Sequence, residues 1–384
     1  MAVPDWIWLI FIFAFGCCVG SFLNVVIYRL PRDKSLIMPG SSCPACGERI
    51  RFYDNIPLIS WLVLGRKCRD CRAPISPRYF VIELLTGMVF VGLFWLYFRT
   101  DLRAGIGGFA GGGWLIYLLH LTLLAAFIAA SAIDLELWVI PISVCWLVTG
   151  VGFIASAAAG YVIGPSVIRE FGLLPIASPG TGALAAGAAI GLAISWMLLV
   201  TGLIKRSYES QDCEHAPQEL DKLPQPPLNH RLEICREIVF LLPILICAAG
   251  AFWLTRESES TRTWWAAFSQ RPVVAGFLGS LLGYFVGCGV VWATRIFGTL
   301  GFGKEAMGLG DVHLMGAAGA VVGPVPVVVA FFIAPFFGLA WAGFQMFFKK
   351  TRQIPYGPFL SLGVFTVMLL HDRIFSYWNL IRTG

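Results

Sequence analysis

Two acidic side chains stand where apolar sequence makes acids rare. Asp134 closes one apolar stretch in Ser-Ala-Ile-Asp134-Leu-Glu, and Asp311 opens another in Gly308-Leu-Gly310-Asp311-Val-His. A carboxylate in such a setting is costly to bury, which marks each as a candidate for function. If the two meet, they split their proton affinities. One stays ionised and can take a proton from water, while the other stays protonated and can polarise a carbonyl. Such a pair titrates as a unit, so the sequence does not assign the two roles. The plainer readings are a carboxylate paired with Lys or Arg, or one that carries protons or ions. Glu83, Glu136 and Glu305 are the competing acids; Glu136 and Glu305 are expected to face water, and Glu83 to orient the segment before it. Gly308 and Gly310 beside Asp311 allow close backbone approach by a substrate strand or a neighbouring helix.

A second constellation is made of thiols. Cys43 and Cys46 form one C-x₂-C pair, Cys68 and Cys71 another, with twenty-one residues between the pairs. Two residues between cysteines let a tight turn present both sulfurs to one ion, and two such turns close a tetrahedral Zn²⁺ site. Four sulfurs leave no position for water, so the expected role is structural. A loop of this size buries little core, and a metal can supply its folding energy. A redox pair of C-x₂-C motifs is the minor alternative. Of the eleven cysteines, Cys17, Cys18, Cys145, Cys247 and Cys288 lie in apolar runs and read as packing residues.

The elements that must position these groups are membrane spans. Of 384 residues, 58% are hydrophobic and 13% charged, with a mean hydropathy of +0.77. Apolar runs recur that can each cross about 30 Å of hydrocarbon. The expected fold class is an all-α polytopic membrane protein, with ten candidate spans at 5–29, 80–98, 114–133, 138–162, 180–204, 237–254, 273–296, 312–324, 326–347 and 357–372, and a small cytoplasmic zinc-binding domain at 30–79. The first run has no Lys or Arg before it and ends in Arg29, Arg32 and Lys34, the reverse of a secretion signal; it is expected to be a retained helix with its N-terminus outside. Residues 30–78 hold nine Lys or Arg against four acids, which keeps that loop in the cytoplasm. Alternation then puts Lys205, Arg206, Lys349, Lys350 and Arg352 on the same side, together with Asp134 and Asp311. The basic residues do not interleave with exposed aromatics, so nucleic acid is not expected as a partner. The segment 205–236 is polar and Pro-rich and reads as a flexible loop, and 179–192 as a closely packed Gly-rich helix.

The residues now named resemble a family. Gly303 to Asp311 (GKEAMGLGD) is similar to the GxGD signature region of type IV prepilin peptidases, and Asp134 with Ile140-Pro141 resembles that family's first aspartate motif. Gly20 to Pro31 (GSFLNVVIYRLP) looks like its N-terminal signature. The two C-x₂-C pairs, Asn55 to Ser60, Arg78-Tyr79 and Glu83 resemble its cytoplasmic domain, and Ile354 to Leu360 its C-terminal motif. The resemblance implies a bacterial inner-membrane enzyme with a cytoplasmic catalytic face. It would cut the short basic leader from prepilins or pseudopilins, the subunits of pili or secretion systems, after a glycine. It would then methylate the new N-terminus with S-adenosylmethionine. By motif, Asp134 and Asp311 are its catalytic acids and Cys43, Cys46, Cys68 and Cys71 its zinc ligands; no methyl-donor residue is implied.

The sequence departs from that pattern in three places. Ile142 stands where an acid is common, and His313 where Lys is common. The aspartates lie 177 positions apart, longer than the resemblance implies. The excess is assigned to an inserted hairpin at 164–270 with two spans, which leaves later topology unchanged. The expected organisation is therefore 1–29 (first span), 30–79 (zinc domain), 80–163 (spans carrying the first aspartate), 164–270 (insert) and 271–384 (spans carrying the second). The alternatives are a leader peptidase without methyl transfer, and a zinc-stabilised transporter or assembly factor whose acids carry ions.

Overall fold

A computed structural model describes residues 4–100, 102–205, 207, 230–348, 355–374 and 376. Among the described residues the chain is helical, with no strand beyond two isolated bridges. The helices are α1 (Asp5–Arg29), α2 (Ile59–Val63), α3 (Pro77–Phe98), α4 (Gly113–Leu137), α5 (Ile142–Val162), α6 (Pro165–Phe171), α7 (Pro179–Val200), α8 (His230–Glu257), α9 (Glu259–Ser269), α10 (Pro272–Phe302), α11 (Leu309–Val322), α12 (Pro324–Phe348) and α13 (Gly357–Leu369). Eight of them, α1, α3, α4, α5, α7, α8, α10 and α12, are long and apolar enough to cross a membrane; α11 and α13 are shorter apolar helices. All ten expected spans are therefore helices, with ends shifted by a few residues. Most of the polar segment 205–236, together with Cys213, Lys349, Lys350, Arg352 and Ile354, lies outside the described residues.

Local chemistry sets the helix ends. Ser76 caps α3, its hydroxyl accepting the Arg78 N–H at 3.3 Å, with Pro77 in the first turn. Ser178 and Thr181 form a reciprocal capping box on α7. Helix α4 stops at Trp138, which takes a left-handed conformation (φ 60°) and donates its N–H to the Asp134 carbonyl at 3.0 Å. That turn sends the chain back through Val139, Ile140 and Pro141 into α5.

Apolar helices gain little from burying apolar surface against one another in lipid, so close packing must hold them. Gly283 of α10 faces Gly319 of α11 so tightly that a Cβ on either would lie 2.0 Å from the other's carbonyl oxygen. On the Gly-rich helix α7, a Cβ at Gly191 would lie 2.3 Å from the Pro243 carbonyl of α8; the expectation of close packing there holds.

The bundle has two distinct ends. At one, Arg99 pairs with Asp5, and the Ala104 N–H donates to Asp372 at 2.6 Å. Buried Tyr97 and His120 meet there at 2.7 Å, beside Arg103, which donates to the Gly172 carbonyl at 2.9 Å. At the other end lie the C-terminus of α4, the N-termini of α3, α11 and α13, and the thiol-bearing segment.

Candidate active site and metal centre

Asp134 sits in the last turn of α4 and Asp311 in the first turn of α11. The structure brings them together. Each is buried, 6% and 9% exposed; the charge of Asp134 acts on the Asp311 carboxyl, and Gly357 and Gly310, the glycines beside the two acids, close on the same residue, Ile140. Both also face helix N-termini. Asp134 Oδ2 accepts the N–H of Gly357, the first residue of α13, at 3.0 Å. The Asp311 carboxyl lies beside Gly308, the N-cap of its own helix. A helix N-terminus favours negative charge, offsetting part of the cost of burying a carboxylate.

Backbone proximity makes this arrangement possible. A Cβ on Gly357 would lie 2.7 Å from Asp134 Oδ2, and one on Gly310 would lie 2.8 Å from Ile140 Cβ. Gly308 is different: a Cβ there would find Asp311 Oδ2 at 3.6 Å, an ordinary contact. Close approach therefore holds for Gly310 and not for Gly308. One turn into α13, Ser361 meets Ser131 of α4 at 3.2 Å, a second tie between the same helices.

The other singled-out residues surround this pair. His313 lies against Trp146 with ring centroids 6.0 Å apart, and Ile142 is exposed at the start of α5. Glu136 is exposed, as expected, and it is also paired: both its oxygens lie 2.6 Å from Arg78 Nη1, joining the start of α3 to the end of α4. Glu305 is likewise paired, with buried Arg295 at 2.6 Å. The local sequence around these acids gives no sign of either partner. Glu83 is buried and accepts the Leu58 N–H at 2.8 Å, tying α3 to the preceding segment as expected. Leu58 holds a positive φ of 63° at that contact. Cys17, Cys145 and Cys288 are buried packing residues, whereas Cys18 is exposed and Cys247 half-buried.

The four loop thiols also come together. The sulfurs of Cys43, Cys46, Cys68 and Cys71 all lie within 4.8 Å of one another, with Cys43 and Cys71 at 3.8 Å. A tetrahedral ion with metal–sulfur bonds of about 2.3 Å sets its sulfurs about 3.8 Å apart, so the donor set fits a metal. Two matching knuckles build it. The Cys43 N–H donates to Glu48 O and the Gly47 N–H to Cys43 O, both at 2.9 Å; the Cys68 N–H donates to Ala73 O at 2.8 Å and the Arg72 N–H to Cys68 O at 3.1 Å. Gly47 and Arg72 occupy the same left-handed position after each second cysteine (φ 75° and 59°). The backbone N–H of Cys46 holds the Cys43 thiol down at about 7, whereas desolvation and the neighbouring thiols push Cys46 and Cys71 up, so the four thiols share their protons unequally.

Comparison with known proteins places these segments. A profile described as "Bacterial Peptidase A24 N-terminal domain" matches residues 14–97, which carry the thiols and Glu83. A second, "Type IV leader peptidase family", matches 237–343, which carries Asp311 and begins inside the stretch 164–270. Asp134 lies between the two matches. A "Prepilin leader peptidase/N-methyltransferase" of Burkholderia pseudomallei is 32% identical over 52% of this chain and 72% of its own length. A protein of the same description from Myxococcus xanthus is 39% identical over 42% of this chain. The "Type 4 prepilin-like proteins leader peptide-processing enzyme" of Escherichia coli is 40% identical over 32% of it. The chain spans under half the length of these last two, 43% and 46%. No solved structure matches. With both profiles in order and nearly three quarters of the Burkholderia relative aligned, the chain belongs to the type IV leader peptidase family.

Proposed function

We propose that this protein is a membrane aspartyl endopeptidase that removes the leader peptide of type IV prepilins or pseudopilins at the cytoplasmic face, and that it then methylates the new N-terminus. The observation that carries this reading is the meeting of Asp134 and Asp311 at one end of a bundle of apolar helices. The names of the relatives extend it to leader processing and to N-methylation.

Hydrolysis by this pair needs one carboxylate and one carboxylic acid. The carboxylate takes a proton from a water, whose oxygen attacks the scissile carbonyl carbon. The protonated partner donates its proton to the carbonyl oxygen as the tetrahedral species forms. Collapse of that species breaks the C–N bond, and a proton passes to the leaving amine. The Gly357 N–H fixes Asp134 Oδ2 throughout, which leaves the other oxygen of that carboxyl for water. A prepilin's apolar helix leaves the bilayer at this depth, so its junction with the basic leader arrives level with both acids.

The four thiols would hold Zn²⁺ as a closed structural site, and the ion's contribution there is folding energy for residues 41–75. The methyl donor is S-adenosylmethionine, as the relatives' description implies; no residue of this chain is assigned to it. The basic thiol domain and the acid pair share one end of the bundle, and its excess of Lys and Arg supports a cytoplasmic position for that end. The eight spanning-length apolar helices and the family membership support a multi-pass position in the bacterial inner membrane.

Co-expression with a prepilin tests the reading. Wild type is expected to yield a mature subunit with a methylated N-terminus by mass spectrometry, and Asp134→Asn and Asp311→Asn each to leave the leader in place. Undiminished processing by either variant removes the protease reading. A cut but unmethylated product retains cleavage and rejects methyl transfer.

A further inference from the structure

Asp311 reaches its partner by way of a short loop, residues 303–308, which joins α10 to α11 without regular structure. Such a loop does not hold a carboxyl in register unaided. Two residues of α10 grip it. Thr299 accepts the Gly303 N–H on its carbonyl at 2.9 Å and the Ala306 N–H on its hydroxyl at 3.2 Å. Arg295 Nη1 donates to Glu305 Oε1 and to the Met307 carbonyl, both at 2.6 Å. Met307 directly precedes the Gly308-Leu309-Gly310-Asp311 run.

Arg295 is itself clamped from behind. Its side chain is 1% exposed, and its Nε donates to Glu237 Oε1 of α8 at 2.8 Å. Glu237, 2% exposed, also receives Trp292 Nε1 at 3.1 Å. The guanidinium thus bridges a helix on one edge and the loop on the other. A planar fork with separate Nε and Nη donors can do this; a lysine ammonium, a single point charge, cannot span both edges in fixed geometry. Stability is a weak reason for such a cluster, because an apolar replacement of a buried ion pair is often as stable. The cluster's distinctive consequence is the fixed position of the loop.

We infer that Arg295, anchored by Glu237 of α8, is a positioning residue for the acid pair: it holds the 303–308 loop at the register that sets Asp311 against Asp134. The inference rests on the protease reading proposed above. It also gives α8, half of the hairpin assigned to the insert, a part in the site without contact with substrate.

The test uses the full-length protein in proteoliposomes with a prepilin-type probe, made of a basic leader, a Gly–Phe junction and an apolar helix. Arg295→Met alone would strand Glu237 as a buried charge and endanger folding, so the informative variant is Arg295→Met combined with Glu237→Gln. Displacing a reacting group by about 1 Å costs about 100-fold in rate. The double variant is therefore expected to lose about that much kcat while KM changes little, since the probe's helix binds elsewhere. Arg295→Lys is expected to fall between the double variant and wild type. Hydrogen exchange supplies the readout that does not need activity: amides 304–310 should lose protection while the middles of α8 and α10 keep theirs. Wild-type kcat in the double variant overturns the inference, as does retained protection at 304–310. Protection lost throughout α8 and α10 also overturns it, by making the cluster a support of the fold alone. If wild type leaves the probe uncut, the protease reading fails, and exchange at 304–310 still decides whether Arg295 holds the loop.

Discussion

A methyl group on Gly357 would lie 2.7 Å from Asp134 Oδ2, well inside contact distance and at the atom that accepts the Gly357 N–H. Gly357→Ala must therefore move either α13 or the carboxyl. The expected outcome is a loss of cleavage of about 100-fold, the scale set by a misplacement near 1 Å. Gly308→Ala, with its Cβ in ordinary contact at 3.6 Å, should lose far less. Cleavage rates of the two purified variants check the contrast, and equal losses would refute the crowding argument. The contact of Gly357 with Asp134, far off in the chain, was not legible in the sequence, nor was the difference between Gly308 and Gly310, which both stand beside Asp311 and read alike. The aspartates themselves were legible, because an acid inside apolar sequence is costly and so conspicuous. Arg295 and Glu237 were not. They are 58 positions apart, and each sits near the end of an apolar run, where a charge reads as facing water.

At the scale of elements, the thiol knuckles were the most legible feature, since C-x₂-C spacing dictates a local turn whatever surrounds it. The structure adds an asymmetry between them. Gly47 takes the left-handed position at no cost, but Arg72 takes it with a side chain, which costs about 1–2 kcal/mol. Arg72→Gly should therefore strengthen the second knuckle by about 1 kcal/mol after glycine's own entropy is counted. Slower metal release to a competing chelator would be the sign of it. Removing the ion altogether should unfold this segment and spare the bundle. Purified protein is expected to carry about one zinc per chain, as four thiolates on one ion require. After chelation, or in Cys46→Ser, protease should cut within residues 41–75 while α4, α10 and α11 resist. Metal-free protein with equal resistance at 41–75 would show that the thiol cluster does not depend on a metal. Helix existence was equally legible: all ten expected spans are helices, eight of them long enough to cross a membrane and α11 and α13 shorter. Their ends were not: α8 begins at His230 rather than 237, and α3 at Pro77 rather than 80, where Ser76 and Pro77 form the cap. Hydropathy marks where a helix is apolar, and capping chemistry marks where it begins.

For the molecule as a whole, the separation of its two ends carries the function. The end with Asp5, Arg99, Arg103 and Asp372 is held by surface pairs and a buried Tyr97–His120 contact, and the end with the acids also bears the thiol domain. Arg78 joins that domain's exit to Glu136, two residues beyond Asp134, and Glu83 joins it to Leu58. The domain is thereby fixed beside the carboxyl pair, where the proposed cleavage would release a new N-terminus. This arrangement requires thiols and acids to share one side of the membrane, with α9 on the other. The prediction can be read with a membrane-impermeant maleimide in a variant whose seven other cysteines are replaced. In intact cells a probe cysteine at Glu259→Cys, at the exposed start of α9, should label. A probe at Arg66→Cys in the thiol domain should label only once the inner membrane is opened. Labelling of both in intact cells would place the thiol domain outside. The acid pair would go with it, because Arg78–Glu136 and Glu83–Leu58 leave no room for the two to part, and a leader held in the cytoplasm could then never reach the carboxyls.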